Sequence, residues 1–242
     1  MRMRGNRTRR RAGVFFVLIV AVALAGCANT SGFKRVGELA RPAGTASVLL
    51  MPTDIELSEL TAAGLYEPKA EWSEAATRYA TAAIGEFLAQ RDARLIAYTA
   101  PADGSPAAHA QTQLIKLHGV VGASILLHKY VDRLKLPTMK GRFDWSLGEG
   151  ARRLGADSGA DYALFVYIRD SYASSGRVAA IFAAAFLGVG VRGGTQLGFA
   201  SLVDLGSGDI VWFNRLISSS GDLRKPVPAR AAVANLLNDF PL

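Results

Sequence analysis

The sequence predicts an α/β fold in which helices pack on a single mixed sheet, with a carboxy-terminal β-hairpin and a final helix. Three observations carry that expectation. Short apolar runs of strand length alternate with longer segments whose apolar residues recur at helical spacing. Towards the end of the chain, residues 195–205 and 210–218 read as two strands joined by Gly206-Ser207-Gly208-Asp209, a hairpin signal. Of 242 residues, 50% are hydrophobic and 20% charged, a balance that supports a packed core and excludes a disordered or low-complexity chain.

Each element has its own justification. Residues 45–51 (TASVLLM) are apolar, closed by Pro52, and read as a buried strand. After a Glu-Pro turn, residues 72–90 place Ala75, Tyr79, Ala83, Phe87 and Leu88 at helical spacing. Residues 94–99 read as a second strand and 101–106 as a loop. Residues 107–134 read as a long helix with Leu114, Leu117, Val121 and Ile125 as its apolar stripe, stopped by Pro137. Residues 145–154 read as a third helix before a Gly-Ala-Asp-Ser-Gly turn, and 161–170 (DYALFVYIRD) as a strong strand. Residues 229–239 close the chain as a helix. There are no internal repeats, and residues 45–242 suffice for one core, so they are expected to form a single α/β domain.

The net charge of +8 suggests nucleic acid only until the charges are located. Arg2, Arg4, Arg7, Arg9, Arg10 and Arg11 precede any acid, and the other 22 basic residues nearly balance 20 acids. These six arginines, followed by the apolar stretch AGVFFVLIVAVALA, give residues 1–26 the form of a secretory signal. No nucleic-acid partner is expected. The apolar stretch falls short of the roughly 20 residues a spanning helix needs. The single cysteine, Cys27, excludes an internal disulfide framework and a multi-cysteine metal site.

Leu24-Ala25-Gly26-Cys27 resembles the bacterial lipobox. The resemblance implies cleavage before Cys27, a diacylglyceryl thioether on its sulfur and acylation of the new amino terminus. The lipid bilayer is then a partner through acylated Cys27, since two or more acyl chains anchor a protein stably. Residues 28–44 are polar, contain Gly and Pro, and read with Cys27 as a lipidated tether over 27–44. Fully stretched, those 17 residues reach about 56 Å. Ala28 stands where an aspartate would mark inner-membrane retention, and Asn29 follows it. The expected location is therefore the periplasmic face of the outer membrane, with the inner membrane less favoured.

Several motifs bear on chemistry. Gly188-x-Gly190-x-x-Gly193 matches the dinucleotide fingerprint by letter. That chemistry needs a strand before the glycines and a helix after them, whereas here a strand follows, so no NAD is expected. His118 and His128 are ten residues apart, which separates them by about 80° around a helix and about 15 Å along it, too far for one metal. They and His109 read as structural. Asp54, Glu56 and Glu59 read as a solvated loop or helix start. Lys129, Arg133, Lys135, Lys140 and Arg142 form a basic cluster whose simplest reading is a solvated surface. With no GxSxG elbow and no convergent acid/base set, no catalytic, cofactor-binding or metal-binding residue is expected.

Two further stretches carry a family resemblance. A helix ending in Leu154-Gly155-Ala156-Asp157-Ser158-Gly159-Ala160-Asp161-Tyr162 leads into a strand, and Leu202-Val203-Asp204-Leu205 precedes Gly208-Asp209-Ile210-Val211-Trp212. Together they resemble the TolB amino-terminal-like lipoproteins, which include the curli secretion channel lipoprotein and penicillin-binding-protein activator lipoproteins. The resemblance implies an envelope lipoprotein without enzymatic activity, serving as an assembly or accessory module in envelope biogenesis or secretion. An envelope protein is then a partner, and self-association into a homo-oligomer stays open. The alternatives are a self-assembling curli-type export channel and, less favoured, an enzyme acting on cell-wall polymer.

This sequence departs from that family between Ser174 and Gly194. Residues 178–191 contain no polar side chain. They read first as a buried helix or connector, because runs of about 10–14 apolar residues are usually buried. The other reading is a patch that dips into lipid or packs on a partner, with Phe182, Phe186 and Leu187 as its contact residues.

Overall fold

The structure is a computed structural model that describes residues 29–34, 45–91, 93–191, 193–219 and 221–242. Its strands are β1 (Asn29–Lys34), β2 (Ala46–Leu50), β3 (Asp54–Leu60), β4 (Tyr66–Pro68), β5 (Ala93–Ile96), β6 (Tyr162–Ala173), β7 (Gln196–Asp204) and β8 (Ile210–Ser218). The α-helices among the described residues are α1 (Ala70–Ala89), α2 (Pro106–Tyr130), α3 (Glu149–Ser158), α4 (Ser175–Phe186) and α5 (Pro226–Leu236).

One mixed sheet runs in the order β1-β8-β7-β6-β2-β5. Strand β6 is its centre. On one side β6 pairs antiparallel with β7, which forms the expected antiparallel hairpin with β8. On the other side β2 and β3 lie end to end, both parallel to β6. The break between them falls at Pro52, which has no N–H for the ladder. Met51 still donates to the Leu164 carbonyl at 3.0 Å.

Helices cover both faces of the sheet. On one face α1 and α5 pack over Val48, Leu57, Leu164, Val166, Ile168, Leu202, Trp212 and Leu216. On the other, α2 and α3 cover Leu49, Met51, Phe165, Phe199, Val203 and Phe213. Consecutive residues of β6 therefore feed opposite cores, which is why it reads as a continuous apolar run rather than an alternating one.

The two family-like stretches serve this architecture. Asp161 Oδ2 accepts from the Ser47 amide at 2.8 Å and the Ser47 hydroxyl at 2.6 Å, tying the start of β6 to the start of β2. Asp204 Oδ1 accepts from the amides of Gly206 and Ser207 and closes the hairpin turn. Trp212 is fully buried, edge-on to Phe240 at 5.3 Å.

The structure corrects several expectations. Residues 54–60 form a strand, not a loop or helix start: Ile55 and Leu57 are buried at period two between polar residues. Within 27–44, read as a tether, residues 29–34 form an edge strand on β8. Helix α2 ends at Tyr130, where Val131 turns extended before a short 3₁₀ turn over Asp132–Leu134. Its buried line is Leu114, His118, Gly122 and Ile125, one residue round from the stripe expected in its middle; Leu117 stays 42% exposed. Gly122 sets this line, because a Cβ there would lie 2.0 Å from the Phe199 ring. Helix α3 starts at Glu149 rather than 145, since Ser146 bridges to Asp209.

Candidate functional site

The feature that departs most from an ordinary core is α4. Ser174 caps it, its hydroxyl accepting from the Arg177 amide at 3.1 Å. It ends in a Schellman motif: Val189 N–H donates to Ala184 C=O, Gly188 N–H donates to Ala185 C=O, and Gly188 has φ +73°. Gly188, the first glycine of the fingerprint-like spacing, therefore terminates a helix instead of opening one around a phosphate.

The expectation that residues 178–191 are buried is overturned. No residue of α4 is buried. Arg177, Ala180, Ile181 and Ala184 are half-buried along one side. The other side presents Phe182 at 72% exposure and Phe186 at 93%, and Leu187 beyond it is 76% exposed. The three residues singled out from the sequence thus share one exposed apolar surface. A helix that is apolar on every side is ordinarily a buried one. No described helix is long and apolar enough to cross a membrane.

Beneath this end of the sheet lies a polar network that the sequence reading did not single out. Asp170 is buried and accepts from the Ser171 amide (2.8 Å), the Tyr172 hydroxyl (2.5 Å) and Gln196 Nε2 (3.0 Å). The Leu223 amide donates to the Tyr172 hydroxyl at 2.8 Å. Burial pushes the Asp170 carboxyl above its ordinary range, and its three donors pull it back in part. Burial likewise raises the Tyr172 phenol, helped by the neighbouring Asp170. Arg224 stacks 4.0 Å over the Tyr172 ring and pairs with Asp222 at 2.7 Å. The group ties β6, β7 and the entry to α5 together. Its one sequence signal was a charged residue at the end of an otherwise apolar strand.

The other singled-out residues are dispersed. His118 is 1% exposed, 2.9 Å from the Ser201 hydroxyl and stacked against Phe165. Burial lowers its pKa to about 3. His128 Nδ1 sits 2.7 Å from the Leu134 carbonyl, and its ring stacks on Trp145. With Leu136 and Met139 these residues line a cavity of about 190 Å³, small for an organic ligand. His109 is exposed. In the basic cluster, Lys129 donates to the carbonyls of Gly141 and Arg142, and Lys135 pairs with Asp132 at 2.6 Å. Asp54 pairs with Arg169 at 2.8 Å and Glu59 with Lys69 at 3.0 Å. Among the described residues no group of three or more His, Cys, Asp or Glu is placed to hold a metal ion. Leu24, Ala25, Gly26 and Cys27 lie outside the described residues.

No protein-family model matches the chain, and no curated protein matches it. Among solved structures it is similar to a PelC dodecamer from Paraburkholderia phytofirmans, with TM-score 0.39 and 13% identity over 87% of this chain and 95% of that one. It is also similar to a single-substitution variant of that PelC, likewise a dodecamer, with TM-score 0.36 and 14% identity over 90% and 97% of the two chains.

Proposed function

We propose that this protein is an outer-membrane lipoprotein of the TolB amino-terminal-like kind, facing the periplasm. In this reading it is a non-enzymatic accessory or assembly module in envelope biogenesis or secretion. The observation that carries the reading is Leu24-Ala25-Gly26-Cys27 placed directly after a basic and then an apolar stretch. The exposed Phe182, Phe186 and Leu187 support it, because an apolar surface open to solvent suits contact with a partner or a membrane. The titratable groups inside the domain also have structural employment: His118 is held neutral in the core and Asp170 is tied to three donors.

The test begins with the mature protein isolated from membranes. Mass spectrometry of its amino-terminal peptide should find Cys27 as the first residue, carrying a diacylglyceryl group and an amide-linked acyl chain. Membrane fractionation should place it with the outer membrane, and Cys27→Ala should leave the precursor unprocessed. An unmodified Cys27 thiol in mature protein would sink the reading. Incubation with purified peptidoglycan should release no fragments; release of soluble muropeptides would establish the cell-wall enzyme instead.

A further inference from the structure

We infer that α4 lies in the lipid interface at the same end of the domain as the acylated Cys27, so that the sheet stands with the carboxy-terminal end of β6 towards the bilayer. This rests on the proposed lipidation and adds to it the occupant of the apolar surface and the orientation of the domain.

The sheet register supplies the geometry. Asn29 is the Cα partner of Ile217, Ile217 of Leu197, and Leu197 of Arg169. These four residues form one row across the sheet. Three strand spacings put Asn29 about 14 Å from Arg169. Ala173, the last residue of β6, is four residues past Arg169, and α4 begins two residues later. Cys27 is two residues before Asn29, a reach of at most about 7 Å. The chain therefore leaves the sheet towards Cys27 at the end from which α4 also projects. The opposite end of β6 lies about 36 Å away.

Chemistry selects lipid over protein as the occupant. Protein interfaces carry a polar rim with hydrogen bonds, and residues 178–191 offer no polar side chain with which to build one. The surface that asks for none is a hydrocarbon boundary. Between Asp170 and Asp204 the chain has no acid, and Arg177 and Arg192 bracket the apolar run, a pattern that suits anionic head groups. Twelve helical residues span about 18 Å, short of the roughly 30 Å hydrocarbon core. The helix therefore lies in the interface rather than crossing it.

The experiment uses the lipidated full-length protein in vesicles of phosphatidylethanolamine and phosphatidylglycerol. Phe182→Cys, Phe186→Cys and, at the far end of the sheet, Leu95→Cys are each labelled with an environment-sensitive fluorophore. A thioether-linked Cys27 cannot take the label. Labelled Cys27, read by mass, would mark failure of the lipidation reading and leaves that outcome distinct from the one tested here. With Cys27 acylated, we expect blue-shifted emission at positions 182 and 186, quenched severalfold by brominated acyl chains, and solvent-like emission at position 95. Emission at 182 and 186 that stays solvent-like overturns the inference. So does blue-shifted emission that brominated lipid does not quench, which would assign the surface to a second copy of the chain.

Discussion

At His118 the fold takes a side chain that titrates near neutrality and holds it uncharged between Phe165 and Phe199. Its folded pKa of about 3 lies below the ordinary 6.5. The unfolded chain therefore takes up a proton first as the pH falls, and stability is lost from about pH 6.5 downward. Between pH 7.5 and pH 5 the loss from this residue should be about 2 kcal/mol. Asp170 has the opposite sign: its raised folded pKa gives stability that is present below its ordinary range and lost as the pH rises through the folded value. Comparing wild type with His118→Leu in urea unfolding at pH 7.5 and pH 5 isolates the histidine. The variant should lose distinctly less stability across that interval, and equal slopes would refute the assignment. The residue was visible in the sequence, but only as a border of the apolar stripe. Its complete burial follows from the line along which α2 meets the sheet.

That line belongs to the element scale. Hydrophobicity alone favours Leu117 and Val121, yet α2 seats along His118 and Gly122, because the missing side chain at 122 makes room for Phe199. Gly122→Ala should cost about 1–3 kcal/mol through overpacking. A thermal melt should show this as a drop of several degrees, and an unchanged melting temperature would mean that the helix can slide. Helix α4 behaves in the opposite way. Phe186 is 93% exposed, so Phe186→Asp should alter the stability of the detergent-free domain by no more than about 0.5 kcal/mol. The same substitution should weaken vesicle association through α4, read by flotation of protein lacking its acyl chains. Loss of folding would show that α4 is packed, and unaffected flotation would separate the patch from the membrane.

At the scale of the whole molecule, the described sheet ends in β1 on one side and in β5 and β4 on the other. Edges leave unpaired backbone groups that another chain can join. Pairing of two unlike edges is head-to-tail and closes only as a ring. An accessory module predicts that the lipidated protein in mild detergent is a monomer or dimer by light scattering after size exclusion. A ring of many copies would support the export channel and make residues 178–191 a wall segment.

Much of this molecule was legible from residue order. The strand at 161–170, the hairpin around residues 206–209 and the helices near 72–90 and 107–134 all rest on local signals: periodicity and turn chemistry. In residues 54–60 the carboxylates mask the strand, which is signalled by Ile55 and Leu57 at period two and completed by pairing with a segment more than a hundred residues away. The seating of α2 was not legible, and of the Asp170 network only the charge in an apolar strand was, because both depend on which distant residues meet. The decisive case is residues 178–191. Composition marked the run as apolar, but burial is a relation to neighbours. The tertiary structure alone decided that α4 projects from the sheet end nearest Asn29 with Phe182 and Phe186 outward, because no described helix or strand packs over that side.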